Sequence, residues 1–196
     1  MTQRRIEIMD TTLRDGEQTS GVSFTAPEKL TLARLLLEEL KVDRIEVASA
    51  RVSEGEFESV RQITEWAAEA GYLPKVEVLS FVDGGSSLKW IQKAGAQTQN
   101  LLTKGSLNHL THQLGKTPEN HFKDIAEVFR MAHDAGIRSN VYLEDWSNGM
   151  RNSKSYVLEF LDFLQDQPVE RVLLPDTLGV LTPSETGRFL KEIVER

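Results

Sequence analysis

Short β-branched runs alternate with longer segments of helical period along the whole chain. This alternation restricts the fold more than any other feature. The runs are Arg5–Met9, Arg44–Ala48, Lys75–Phe81, Thr98–Leu102, Arg138–Leu143 and Glu170–Leu174. Helical periodicity fills Pro27–Leu40, Glu54–Ala70, Ser87–Lys93, Pro118–Ala135, Ser153–Gln165 and Pro183–Val194. In the first of these, Leu30, Ala33, Leu37 and Leu40 make one apolar stripe, and Pro27 sits at the first turn, where its missing N–H costs nothing. Gly71, Gly136 and Gly95 stop three of the others. A strand followed by a helix, repeated, requires a parallel sheet with crossover helices. Lys104–Gly115 reads as an insertion after the fourth strand, long enough for an extra helical turn. No Pro/Gly/Ser-rich linker interrupts the series, so the chain reads as one domain.

Two parallel architectures meet this requirement. A doubly wound sheet usually carries a glycine-rich phosphate turn after its first strand. Here that position holds Asp10-Thr11-Thr12-Leu13-Arg14-Asp15-Gly16-Glu17-Gln18, without G-x-G-x-x-G. A (β/α)8 barrel instead collects its chemistry at the C-terminal ends of several strands. Polar residues do collect there after strands one, two, five and six. The expectation is an α/β fold of the TIM (β/α)8-barrel type, with six βα units where a closed barrel has eight.

Composition removes several functions. The net charge of −7 opposes a general nucleic-acid binder, which needs a basic face. Zero cysteines exclude disulfides, thiolate metal sites and a cysteine nucleophile. No run of about 20 apolar residues is present to span a membrane. The N-terminus runs into a strand pattern without a signal-peptide core, so a cytoplasmic location is expected.

Arg14 and Asp15 follow the first strand closely. Arg14 offers a bidentate fork for a carboxylate or oxyanion, and Asp15 offers a carboxylate for a metal. The same residues also suit a mixed-charge surface loop. Glu46 lies inside an apolar strand. Alternation allows it to point outward or inward, and an inward carboxylate needs a partner, for which Arg14 is placed. Along the fifth strand Asn140, Tyr142 and Glu144 share one face, opposite Val141, Leu143 and Asp145. Thr177 offers a hydroxyl after the sixth strand. His109 and His112, spaced i, i+3, lack a third ligand and read as exposed helix histidines. There is no H-E-x-x-H, P-loop or G-x-S-x-G motif.

The string Met9-Asp10-Thr11-Thr12-Leu13-Arg14-Asp15-Gly16-Glu17-Gln18 resembles the start of the isopropylmalate, homocitrate and citramalate synthases, the DRE-TIM metallolyase barrels. Arg44-Ile45-Glu46-Val47, Glu144-Asp145 and Pro175-Asp176-Thr177-Leu178-Gly179 agree in order, so the resemblance covers essentially the whole chain. It implies condensation of acetyl-CoA with a 2-keto acid by a metal-assisted Claisen-type reaction in branched-chain amino-acid biosynthesis. Carried over, Asp15 would ligate a divalent metal (Mg, Mn or Zn). Arg14 would stabilise the keto oxygen, and Glu46 would hold Arg14. Thr177 would touch the keto-acid carboxylate, and Glu144 would lie near acetyl-CoA.

Ser49-Ala50-Arg51-Val52-Ser53 and Tyr142 to Gly149 look closest to bacterial (R)-citramalate synthases, whose substrate is pyruvate. Leu79, Leu102 and Tyr142 would then wall a methyl-sized pocket. Isopropylmalate synthases admit an isopropyl group and use 2-ketoisovalerate. The family also has a His-x-His pair on its seventh strand, an Asn on its eighth, a linker that reaches a neighbouring subunit and a C-terminal regulatory domain. None of these lies within residues 1–196. The resemblance thus implies the N-terminal part of a catalytic barrel, homodimeric at full length and inactive or nearly so as 196 residues. A related HMG-CoA-lyase-like or aldolase carbon–carbon lyase, or a non-catalytic barrel fragment, are the alternatives.

Overall fold

The computed structural model describes residues 5–49 and 51–196; Met1–Arg4 and Ala50 lie outside it. Six strands form one sheet in the order β1 (Met9–Asp10), β2 (Arg44–Glu46), β3 (Val76–Phe81), β4 (Thr98–Lys104), β5 (Arg138–Glu144) and β6 (Arg171–Leu173). Every pair is parallel. Sequential order in an all-parallel sheet is the barrel arrangement; a doubly wound sheet reverses partway across. The sheet curls strongly: Glu7, before β1, meets Arg171 at the start of β6 at 3.1 Å. This is a TIM-type barrel wall of six βα units.

Eight helices are present among the described residues. α1 (Ala26–Arg34) starts with Pro27 inside its first turn and a capping box in which Glu28 accepts the Thr25 amide at 2.8 Å. It runs on into a wider π turn over Leu35–Glu39, closed by Leu40 N–H to Leu35 C=O. That turn breaks the 3.6 period, so Leu37 is buried whereas Leu40 leaves the expected stripe and is exposed. α2 (Glu54–Ala70) is capped by Ser53 and stopped by Gly71 at φ 79°. α3 (Ser86–Lys93), α5 (Pro118–Asp134), α7 (Lys154–Gln165) and α8 (Pro183–Val194) follow the sequence periods closely. The expected extra turn is α4 (Leu107–His109), which widens over Leu110–Leu114.

Alternation sorts the strands into two faces. Val76, Val78, Leu101, Val141 and Leu143 join Ile63, Ile91, Ile125, Phe129, Val157 and Phe160 of the helices in one core. The other face is concave and more polar, with Glu46, Glu77, Asn100 and Asn140 all buried.

Three differences from the sequence reading have physical causes. The first strand is two residues rather than Arg5–Met9, because β1 has one partner and Ile6 and Ile8 are exposed. β6, the other edge, is likewise short. Trp146–Asn152 forms a helix, α6, over poor helix formers such as Ser147, Asn148 and Gly149. Asp145 enters it in the left-handed conformation (φ 63°) and binds Asn148 Nδ2 at 2.7 Å. Gly149 is required there, since an added Cβ would lie 2.1 Å from the Gly105 carbonyl oxygen.

Candidate active site

The C-terminal ends of the strands surround a cleft of about 660 Å³. The turn after β1 gives it its shape. Asp10 accepts the Thr12 amide at 2.9 Å, and the amides of Arg14, Asp15 and Gly16 all point at the Thr11 carbonyl. This folded turn sends Leu13 into the core and Arg14 into the cleft.

Glu46 points inward and is fully buried, which settles the direction that alternation left open. Its Oε2 accepts Arg14 Nε at 2.7 Å, and its Oε1 accepts Asn100 Nδ2 at 2.7 Å. Arg14 Nη1 also reaches Asp15 Oδ1 at 3.1 Å, and its guanidinium lies 5.9 Å from the Tyr142 ring centroid. Burial opposes the Arg14 charge, yet the Glu46 carboxylate holds its pKa above the ordinary value. Burial pushes the Tyr142 hydroxyl well above its ordinary pKa, and Glu46 pushes it further.

Leu79, Leu102 and Tyr142 line the cleft together with Phe81 and Val52. β3, β4 and β5 bring them side by side, with Leu102 and Tyr142 register partners. Glu144 lies at the mouth and forms an ion pair with Lys104, its register partner on β4. The Thr177 hydroxyl accepts the Asp145 amide at 2.9 Å, leaving its own proton free to donate into the cleft. Arg14, Asp15, Glu144 and Thr177 therefore line one cleft, and Glu46 is tied to it through Arg14.

Asp15 is exposed at the rim. No group of three His, Asp or Glu side chains among the described residues is placed to hold a metal ion. One rim carboxylate is a poor divalent-cation site, so this stretch alone does not fit the expected metal. His109 departs from the expected exposure: it is half-buried, with Nε2 3.4 Å from Asp145 Oδ2, whereas His112 is exposed. Asp145 also accepts Ser106 Oγ at 2.7 Å, so this cluster braces the turn from β5 to α6.

Sequence reading missed three contributors. Lys29 is fully buried on α1, and its Nζ lies 2.5 Å from Glu17 and 2.7 Å from Glu56, both in the cleft wall. Lys104 and Asn100 occupy inward positions on β4; alternation from Leu102 picks out both. Lys29 had no comparable signal, because helical period alone does not show where a cation's partners lie.

A parallel β/α barrel wall that carries Arg14, Asp15 and Glu46 at its strand ends defines a (β/α)-barrel scaffold. The chain belongs to the HMGL-like family, whose profile matches residues 5–196. Among its relatives is a protein named as a probable 2-isopropylmalate synthase from Methanopyrus kandleri, 36% identical over 193 residues, covering 97% of this chain and 36% of the relative. Another, named as an (R)-citramalate synthase from Methanocaldococcus jannaschii, is 33% identical over 190 residues, covering 97% of this chain and 37% of the relative. The chain thus spans little more than a third of these relatives. A hydroxymethylglutaryl-CoA lyase structure from Bacillus subtilis superposes with a TM-score of 0.79 at 18% identity, over 99% of this chain and 65% of that one. This last likeness is one of fold. No helix is long and apolar enough to cross a membrane among the described residues.

Proposed function

We propose that the protein of which this chain is the barrel wall condenses acetyl-CoA with a short 2-keto acid, pyruvate in the first instance. The observation that carries the reading is the Arg14–Glu46 pair set beside an apolar wall of Leu79, Leu102 and Tyr142. The relatives' names as isopropylmalate and citramalate synthases support it.

In this reading Arg14 binds the keto-acid carbonyl and carries the negative charge that develops on its oxygen as the new carbon–carbon bond forms. Glu46, fully buried, fixes the guanidinium so that it need not reorganise during reaction. Thr177 donates its hydroxyl proton to the substrate carboxylate. Glu144, at the mouth where a thioester methyl would approach, takes part in proton transfer. Asp15 is offered to a divalent cation. Leu79, Leu102 and Tyr142 meet the keto-acid side chain.

The test is an assay of the full-length protein for thiol release from acetyl-CoA with pyruvate, 2-ketoisovalerate or 2-ketoglutarate. Release with pyruvate is expected. No release with any of the three, together with cleavage of a 3-hydroxy-3-methylglutaryl thioester, would overturn the condensation in favour of a carbon–carbon lyase.

A further inference from the structure

Beneath the wall of the cleft, three polar side chains cross the inner face of the sheet. Asn140 on β5 donates through Nδ2 to Asn100 Oδ1 at 2.9 Å, and Asn100 on β4 donates through Nδ2 to Glu46 Oε1 at 2.7 Å. Glu46 on β2 then accepts Arg14 Nε at 2.7 Å. Asn100, Asn140 and Glu46 are each 0% exposed. Asn100 and Asn140 are register partners, each two residues before a wall residue, Leu102 or Tyr142, on the same face.

The direction of this line is set by chemistry. An ionised carboxylate only accepts, so Asn100 must turn its NH2 toward Glu46. Its carbonyl oxygen then faces Asn140, which must present its own NH2. The line therefore runs one way, from Asn140 to the carboxylate, and Asn140 Oδ1 at the far end is buried without a partner. Burying three polar side chains where barrel interiors usually hold Val, Ile or Leu is costly, and an orphaned acceptor adds to that cost. Packing alone does not account for them.

We propose that Asn100, oriented by Asn140, is a positioning residue for the keto-acid site. It occupies one carboxylate oxygen of Glu46 and so restricts the other to Arg14. Were Asn100 not there, the Glu46 carboxylate would rotate to satisfy both oxygens from Arg14 alone. The guanidinium would follow it away from the cleft. Asn100 itself does not line the cleft, so its effect on substrate passes through Glu46 and Arg14. The inference rests on the keto-acid reading of Arg14.

The experiment uses the full-length protein with Asn100→Ala and the volume-matched Asn100→Leu, so that one variant remains if the other fails to fold. Steady-state kinetics is paired with NMR of the Arg14 Nε–H in 15N-arginine-labelled protein, assigned through Arg14→Lys. The keto-acid KM should rise about tenfold, the scale of a lost hydrogen bond to a charged group, while the acetyl-CoA KM stays within about twofold. The Arg14 Nε–H signal should shift and exchange faster with water. In an Arg14→Lys background Asn100→Ala should add nothing further, because both act on one contact. An unmoved Nε–H signal, equal rises in both KM values, or fully additive effects would overturn the proposal. Absence of keto-acid turnover in the unsubstituted protein would defeat the proposed function instead, and the Nε–H signal would still decide the role of Asn100.

Discussion

Arg14 Nε lies 2.7 Å from Glu46 Oε2, joining the turn after β1 to the interior of β2. Glu46 is fully buried and the Arg14 side chain is 18% exposed, so neither is readily resolvated if its partner goes. Glu46→Ala would strand a cation and leave Asn100 Nδ2 without its acceptor. Removing one partner of a buried pair costs about 3 kcal/mol or more. Denaturant unfolding should show that loss as a lower midpoint at unchanged slope. A loss below about 1 kcal/mol would mean that water replaces the carboxylate.

Glu144 is a different case. It pairs with Lys104 at the cleft mouth, where the two side chains are 25% and 15% exposed. Such a partly exposed pair adds little stability, about 0–1 kcal/mol. Glu144→Gln is therefore expected to melt within a few degrees of the unsubstituted protein. Under the proposed function its turnover should fall by about 10²–10⁴, the usual size of a proton-transfer contribution. Wild-type turnover in this variant would remove Glu144 from the reaction.

Pocket size should govern which keto acid is taken. Leu79, Leu102 and Tyr142 close the wall beside Arg14. Leu102→Ala opens room for a branched side chain, and one or two methylenes in such a pocket shift selectivity by about 10–200-fold. The ratio of kcat/KM for 2-ketoisovalerate over pyruvate should rise within that range. An unchanged ratio would place the keto-acid side chain against another wall.

How much of this was legible beforehand depended on the range of the interaction. Pro27 in the first turn of α1 and the stops at Gly71, Gly95 and Gly136 are local signals, and the structure keeps them. Alternation correctly put Asn140, Tyr142 and Glu144 on one face, because register in a half-buried strand follows a period of two. The same rule left Glu46 undecided until its neighbours β1 and β3 were in place. Lys29 and the Asn100–Asn140 line were not seen, because their partners are distant in sequence and meet only after the sheet curls. α6 was missed because tertiary packing on Gly105 holds a segment that its propensities disfavour.

That packing gives its own prediction. A Cβ on Gly149 would sit 2.1 Å from the Gly105 oxygen and 2.8 Å from Val157 Cγ2. Gly149→Ala must push α6 off the end of β4, at a cost of about 1–3 kcal/mol. The added Cβ of Gly187→Ala in α8 meets nothing within 4 Å, and should gain about 0.5–1 kcal/mol from helix propensity. Opposite shifts in Tm from one chemical change would separate close approach from backbone freedom.

The pH dependence of stability should have a component from His121. This side chain is fully buried on α5, edge-on to the Phe160 ring at 5.9 Å. Burial lowers its pKa from 6.5 to about 4, with the Lys116 charge acting in the same direction. The folded protein therefore keeps His121 neutral while the unfolded chain takes up a proton below pH 6.5. Stability from this group is complete above pH 6.5 and is lost as the pH falls toward 4, by about 3 kcal/mol in all. Partly exposed carboxylates with lowered pKa, such as Glu58 and Glu185, both near 2, act below pH 4.5. His121→Phe keeps an aromatic ring beside Phe160 and removes the proton site. Its unfolding free energy should stay level between pH 6.5 and 4.5 where that of the unsubstituted protein declines. Parallel curves for the two would mean that His121 titrates alike in both states.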